Sequence, residues 1–325
     1  MINWGILGLG KMATKFAQSF INQKNICLKG IASNSNLKSF GKKFKIDKKF
    51  HYKSYSDLLK SSEIDAVYIS TVNNFHYQLI SEAIDNNKSV LCEKPFVTTL
   101  QEASLIKNKI ENNKHLFIEA IAYRSHPITQ EILSTIKMNE IGKIKKICTS
   151  FGFKVNKVKK KSRLFNKDLG GGSILDLGCY PISFAELFRN KSTKLNFLNV
   201  SGSYSVTGVD DHAEIVYVMN NNVVVEAKVS FKENLPNNCI IYGTKKIMKI
   251  TSPWLPEQKS IIEIIDGENY YKKFVICKND LYINQLNSTS EYFYKKNYLQ
   301  SNNLINIEKS YEIFKILDYW LNNIK

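Results

Sequence analysis

Three short stretches of this chain carry side chains whose types and spacing could do chemistry. In Cys92-Glu93-Lys94-Pro95 the proline keeps the lysine extended, so its ammonium can project outward instead of continuing a helix. In Gly170-Gly171-Gly172-Ser173-Ile174-Leu175-Asp176-Leu177-Gly178-Cys179-Tyr180-Pro181 the acid Asp176 and the phenol Tyr180 stand four residues apart. On a helix that spacing puts both on one face, where they can reach one ligand. Pro181 removes a backbone donor toward residue 177, which predicts a kink that aims its neighbours. The third stretch is Gly8-Leu9-Gly10-Lys11-Met12-Ala13, a Gly-x-Gly-x-x-Ala run. Each has a plainer reading. Lys94 can be a surface lysine, Ser173 with Asp176 can form a helix capping box, and Tyr180 can be a core aromatic.

The elements around these stretches decide what they mean. Short apolar runs at 2–7, 27–32, 66–70, 89–92 and 116–119 alternate with amphipathic stretches at 11–20, 75–86 and 100–112. This is the β-α-β pattern of a parallel sheet covered by helices on both faces. The glycine run therefore sits where a first strand turns into a first helix. Gly8 permits the tight turn, Gly10 lets a pyrophosphate approach the backbone, Ala13 allows close strand-helix packing, and the helix start offers free N–H groups. Lys94 follows the fourth of these strands, at the carboxyl edge where ligands of doubly wound sheets bind.

After Tyr123 the texture changes. The pattern predicts a helix over 128–138, a strand over 143–153, and a helix after the three glycines. A meander of strands follows at 216–219, 223–231, 238–242 and 246–251, with turns at Asn220-Asn221-Asn222 and Tyr242-Gly243-Thr244-Lys245, and the chain is helical from 281 onward. The last helix, over 307–323, carries Ile307, Tyr311, Phe314, Leu317 and Leu321 on one stripe. The expected fold is α/β: an N-terminal Rossmann domain over residues 1–122 and a C-terminal α+β domain with an open, mainly antiparallel sheet over 123–325.

A doubly wound site that prefers NAD ends its second strand with an acid for the ribose 2′-hydroxyl. Here that corner reads Ile31-Ala32-Ser33-Asn34-Ser35, with Lys38 nearby, so it accepts a 2′-phosphate without repulsion and NADP is preferred over NAD. Several classes are set aside. Met1 to Leu7 lacks a signal-peptide pattern and no apolar run approaches a membrane span, so a cytoplasmic location without membrane contact is expected. The six cysteines form no Cys-x-x-Cys pair and the five histidines show no ligand spacing, so neither disulfides nor a metal site is expected. The net charge of +17 comes from lysines spread along the chain among many Asn and Ile, all residues of AT-rich codons, rather than from a clustered face that would suit nucleic acid. The run Lys157-Val158-Lys159-Lys160-Lys161 is the one local concentration, and it reads as a solvated loop.

In order along the chain, Gly8 to Ala13, Ser70-Thr71-Val72-Asn73-Asn74-Phe75-His76, Glu93-Lys94-Pro95, and Glu119-Ala120 with Tyr123-Arg124-Ser125-His126-Pro127 resemble the glucose-fructose oxidoreductase and inositol dehydrogenase family. Ser162-Arg163-Leu164-Phe165 leading into Gly170 to Pro181, and Tyr242 to Lys245 with Pro253-Trp254, continue the likeness, which is nearest the branch holding dimeric dihydrodiol dehydrogenase and NADP-dependent xylose dehydrogenase. The resemblance implies an active cleft between two domains and a homo-oligomer, dimer or tetramer. Lys94 and Tyr180 would be catalytic with Asp176 beside them. Gly8, Gly10, Lys11, Met12, Ala13, Ser33, Asn34, Lys38, Thr71, Asn73, His76, Glu93 and Lys94 would line the cofactor, and Arg124 and Arg163 would meet a sugar or polyol substrate.

Residue types then suggest the chemistry. A tyrosine with an ordinary pKa near 10 becomes a useful base when a cation stabilises its phenolate, so Tyr180 would carry the proton, Lys94 would polarise the substrate oxygen, and Asp176 would orient substrate or lysine. Three departures from the family pattern stand out: Val72 replaces the usual proline, Asn34 the frequent arginine at the ribose corner, and the Lys157 to Lys161 run a more neutral loop. The alternative function is a non-catalytic NADP-binding regulatory protein of the same fold, which would have no need of Lys94 or Tyr180.

Overall fold

The computed structural model describes residues 1–190, 193–219, 222–296 and 303–324, and it divides into two units. The first contains Met1–Ser125 and Tyr282–Glu312. Its chain runs β1 (Ile2–Leu7), α1 (Lys11–Gln18), β2 (Ile26–Ala32), α2 (Leu37–Lys43), β3 (His51–Tyr52), α3 (Tyr55–Lys60), β4 (Ala66–Ile69), α4 (His76–Asp85), β5 (Ser89–Cys92), α5 (Leu100–Asn113) and β6 (Phe117–Glu119). The six strands pair in parallel in the order β3-β2-β1-β4-β5-β6. Every residue of β4 and the last four of β1 are buried, as strands covered on both faces require. The order reverses between β1 and β4, and the Gly8 turn leaves the sheet there.

The division expected at residues 122 and 123 differs from what the chain does. Residues 282–312 return to the first unit, bringing α8 (Leu281–Lys295) and the start of α9 (Ile307–Asn322). The reason lies in the β1 side of the sheet. Trp4 is fully buried, its indole N–H donates to Ser290 Oγ at 3.2 Å, and its ring packs on Phe293 at 5.5 Å and Phe16 at 5.9 Å. Tyr292, Phe293 and Leu304 join the same apolar cluster, and Ile305 forms an antiparallel bridge with Glu119 at the edge strand β6. An uncovered parallel sheet would expose this surface, so the later segment closes it.

The second unit runs from His126 to Leu281 and takes up the chain again from Ile313. It holds α6 (Pro127–Lys137), β7 (Ile144–Gly152), a π-helical turn (Ile174–Gly178), α7 (Cys179–Ala185) and β8 (Asn196–Tyr204), β9 (Asp210–Met219), β10 (Val223–Ser230), β11 (Asn238–Gly243), β12 (Ile247–Thr251), β13 (Lys259–Asp266) and β14 (Asn269–Ile276). The eight strands stand in the order β14-β13-β12-β11-β7-β10-β9-β8, antiparallel throughout except where β7 meets β10. Alternating burial along β9 and β10 shows one face turned to the core. The meander expected from 216 to 251 is interrupted: β7 inserts between β10 and β11, with Cys148 opposite both Glu226 and Ile240. Of the expected turns, Asn220 and Asn221 lie outside the described residues.

Candidate active site

The turn after β1 is shaped for a group that arrives from outside. Gly8 takes a φ of +85°, a left-handed value that side chains rarely adopt, and an added Cβ would meet the Ser70 carbonyl oxygen and Thr71 Cγ2 at 3.0 Å. Gly8 N–H donates to Ala32 O at 3.0 Å, and Ser70 Oγ donates to Gly8 O at 2.9 Å, which pins the turn to both neighbouring strands. Gly10 is the N-cap of α1, no side chain caps that helix, and no acid stands in its first turn. A Cβ on Gly10 would meet nothing within 4 Å. Ala13 is fully buried against the sheet, whereas Gly10 and Lys11 are exposed and Met12 is half-buried. Unclaimed amides, a partial positive charge and a glycine facing open space fit the pyrophosphate of a dinucleotide.

Nearby polar atoms point the same way. Thr71 Oγ1 and Asn74 Oδ1 are buried and have no hydrogen-bond partner among the described residues, in the turn that follows β4 beside Gly8. Such atoms are costly unless a ligand or water satisfies them. At the ribose corner Asn34 and Lys38 are exposed, while Ser33 is buried and its hydroxyl accepts from the Ser35 amide at 3.2 Å. Ser33 thus shapes the corner, and Asn34 and Lys38 are the groups left to meet a ligand.

His76 has a different place from the one the resemblance implies. It is fully buried, with Nδ1 2.8 Å from Pro95 O and Nε2 3.3 Å from Thr71 O. Burial, with the nearby positive charge of Lys94, holds its imidazole below the ordinary histidine pKa against the pull of the two carbonyls. It braces the turn after β4 against the turn after β5, while Asn73, three residues earlier, is half-buried. In the β5 turn, Glu93 accepts a hydrogen bond from the Tyr68 phenol and its amide donates to Ile69 O at 2.9 Å. Lys94 comes next, half-buried, and its peptide bond to Pro95 is cis. Arg124 is also inside the unit, 5% exposed, with Nε donating to Asn303 O at 2.6 Å. A guanidinium so enclosed ties β6's continuation to the returning segment.

In the second unit the three glycines lead to a rigid platform. Gly172 has a φ of +118°, and an added Cβ would lie 2.2 Å from Asp210 Oδ1. Asp210 starts β9, is 1% exposed, and its Oδ2 accepts from Ser173 Oγ at 2.6 Å and the Ile174 amide at 2.7 Å. Burial raises its carboxyl pKa, against the pull of those same donors. Asp210, and not Asp176, therefore caps this helical segment; Ser173 makes no side-chain cap of its own, so the capping-box reading does not hold. Asp176 is left for another partner, and Arg163 Nη1 meets its Oδ1 at 2.8 Å. The acid's side chain is 7% exposed and the arginine's 55%.

The kink expected at Pro181 is realised as the π turn just before it, which widens the helix where the proline offers no N–H. The consequence appears one residue earlier. From Gly172 to Ala185 every residue is buried except Tyr180. Its ring sits between Phe151, edge-on at 5.4 Å, and Trp254 at 6.4 Å, and Trp254 is itself held by a bond from Nε1 to Ser150 O at 3.1 Å. Gly178 lets Leu317 and Trp320 of α9 approach the back of the segment, where a Cβ would meet them at 3.1 and 3.3 Å. The residues on either side of Tyr180 in this segment are buried, and Tyr180 itself is half-buried.

Comparison with known proteins agrees with this geometry. Residues 2–120 match the profile of an oxidoreductase family with an NAD-binding Rossmann fold, and residues 129–249 match the GFO/IDH/MocA C-terminal domain. The chain belongs to the GFO/IDH/MocA oxidoreductase family. Trans-1,2-dihydrobenzene-1,2-diol dehydrogenase of Xenopus tropicalis is 30% identical over 259 residues, which cover 78% of this chain and 76% of that protein. D-xylose 1-dehydrogenase (NADP(+)) 2 of Haloferax volcanii is 30% identical over 185 residues, 57% of this chain and 56% of that one. In three dimensions the chain is similar to a 3-ketoreductase from Actinomadura kijaniata solved with NADP and TDP-benzene, with a TM-score of 0.89 at 19% identity over 100% of this chain and 98% of the other.

As a GFO/IDH/MocA member the chain is an NAD(P)-dependent oxidoreductase, as its motifs implied. Two residues of this family member escaped the sequence reading. Asp210 gave only a weak signal, an acid opening a strand at Val209-Asp210-Asp211. Asn74 stood inside a quoted motif, but nothing in its type marked its oxygen as the unsatisfied one.

Proposed function

We propose that this oxidoreductase passes hydride between NADP and a hydroxyl-bearing or carbonyl carbon of a sugar, sugar derivative or cyclic diol, with Tyr180 as the proton carrier. The observation that carries the reading is the placing of Tyr180: the one residue from Gly172 to Ala185 not buried, its ring against Phe151 and Trp254, a turn after an acid fixed by Arg163. A bound nicotinamide supplies the hydride chemistry itself. On oxidation the substrate hydroxyl gives its proton to Tyr180 Oη, and on reduction the phenol returns it. The role the family resemblance gives the Lys94 ammonium is to favour negative charge on the substrate oxygen in one direction and to polarise the carbonyl in the other. Asp176, with Arg163, orients the hydroxyl groups that flank the reacting carbon.

NADP is preferred because no acid stands at the ribose corner, where Asn34 and Lys38 are exposed, and a relative whose name carries NADP supports the same choice. The diol and xylose dehydrogenases among its relatives support the substrate class. A homo-oligomer, dimer or tetramer, fits the outer face of the eight-stranded sheet, where Tyr242, Ile247, Ile265 and Tyr270 form one row of cross-strand partners and Tyr270 is 65% exposed. Among the described residues no helix is long and apolar enough to cross a membrane, and the six free cysteines fit a reducing, cytoplasmic compartment.

The test is a screen of pentoses, hexoses, inositols and trans-diols with purified protein, followed by the absorbance of reduced nicotinamide. Turnover of at least one class, with a higher kcat/KM for NADP than for NAD, is expected. Tight NADPH binding with no turnover across the panel would favour the regulatory reading instead.

A further inference from the structure

Lys94 is presented by a turn that is gripped from two sides, and the second grip is a carboxyl with no role assigned so far. His76 holds Pro95 O from one side. From the other comes Glu119, the last residue of β6, 3% exposed, whose Oε1 accepts from the Phe96 amide at 3.2 Å. Its own amide donates to Ile305 O at 2.8 Å, so the same residue joins the Lys94 turn to the returning segment. Its second oxygen, Oε2, is buried without a hydrogen-bond partner among the described residues. The Ser310 hydroxyl on α9 is buried beside this carboxyl and favours its charged form. An anionic carboxyl so buried is expensive, and what favours it here is the Ser310 hydroxyl and the Phe96 amide first, with the nearby positive charge of Lys94 after them.

We propose that Glu119 is the positioning residue for Lys94, anchoring the Glu93–Phe96 turn through the Phe96 amide and acting as the buried counter-charge that sets the lysine's protonation and aim. This rests on Lys94 being the catalytic cation. Among the described residues, Lys94 attracts the charge of Glu119, Glu93 repels it, the Cys92 thiol on β5 is a near neutral neighbour, and Ser310 is the facing group from α9. Glu93 is itself engaged by the Tyr68 phenol, which leaves Lys94 as the opposite charge. Burial pushes the Glu119 carboxyl up to about 7, against the pull of Ser310, the Phe96 amide and Lys94. Burial thus brings the change of charge at Glu119 near neutral pH. Ionised, it grips the turn and pairs with the lysine; protonated, it gives up the counter-charge.

The sign for stability follows. A carboxyl whose folded pKa is raised favours folding while protonated, so its contribution is whole below about 4.5 and is lost as pH rises through about 7. Two variants test the proposal. Glu119→Gln keeps size and polarity but removes the charge, and Glu119→Asp keeps the charge. Acetylation of Lys94 by acetic anhydride, read by mass spectrometry across pH with no substrate present, reports the lysine directly. In Glu119→Gln the acetylation onset moves to lower pH by about one unit. With an active substrate, the wild-type kcat rises through pH 7 and Glu119→Gln lacks that limb, while NADPH affinity stays within about threefold; Glu119→Asp retains both wild-type behaviours.

Superimposable acetylation and kcat profiles for wild type and Glu119→Gln would overturn the proposal, whatever their melting temperatures. Should Glu119→Gln fail to fold, wild-type infrared spectra decide: a buried carboxylic acid band that fades as pH rises through 7 supports it, and a carboxyl fully ionised by pH 5 overturns it. Absence of turnover on every substrate would instead count against Lys94 as a catalytic group, which leaves the acetylation result to stand alone.

Discussion

Two glycine-led turns, one in each unit, put the same local vocabulary to opposite uses. After β1, Gly8 and Gly10 open a helix whose first amides no side chain claims, and Gly10 faces open space. Before the π turn, Gly172 also opens a helical segment, but there the chain supplies its own anion: Asp210 takes Ser173 and Ile174, and its carboxylate fills the space beside the glycine. A helix start whose amides no side chain claims suits an incoming anion, and one filled from within is a foundation. The first should tolerate change in stability terms and fail in ligand binding, and the second should do the reverse.

Within these two turns the larger expected effect is at Gly10. Gly10→Val places methyl groups where the pyrophosphate would approach, so NADPH affinity should fall about a hundredfold, roughly 2.7 kcal/mol, while the melting temperature hardly moves. NADPH fluorescence titration checks it, and a large loss of stability with intact affinity would mean the turn is structural. At the filled turn, Gly172→Ala meets both a left-handed φ and Asp210 Oδ1 at 2.2 Å, and should cost about 2 kcal/mol of folding free energy. Denaturant unfolding measures that, and NADPH affinity of the folded protein should be unchanged. The smallest effect sharpens what the vacant turn accepts. Asn34→Asp should repel a 2′-phosphate and accept from a 2′-hydroxyl, moving the NADP to NAD ratio of kcat/KM about tenfold toward NAD. An unchanged ratio would assign the preference to another residue.

The uneven legibility of the sequence has the same physical root. The parallel strands and the Gly8 turn were readable because continuous apolar runs and a glycine run are local patterns. β1 and β5 appear with the bounds their runs predict, while β3, two residues long, carries no period to read. The return of residues 282–312 to the first unit was hidden, since a helix's apolar stripe does not say which sheet it covers, and only the contact of Trp4 with Ser290 and Phe293 decides it. Lys94, Asp176 and Tyr180 were visible as types at a spacing. That Asp176 is released from capping duty was not, because its substitute Asp210 lies far along the chain. His76 and Arg124 show the opposite case: a motif marks them, and the fold encloses both, against Pro95 and Asn303.

The central claim is that the packed segment after Gly172 holds one half-buried tyrosine for proton transfer. Turnover of Tyr180→Phe, measured beside its melting temperature and NADPH affinity on the best substrate from the screen, tests it most directly. The account predicts that kcat falls on the order of a hundredfold to ten-thousandfold, with folding and cofactor binding close to wild type, because the ring that packs between Phe151 and Trp254 is retained. A variant that melts lower yet turns over near the wild-type rate per folded molecule would contradict it and make Tyr180 a packing residue.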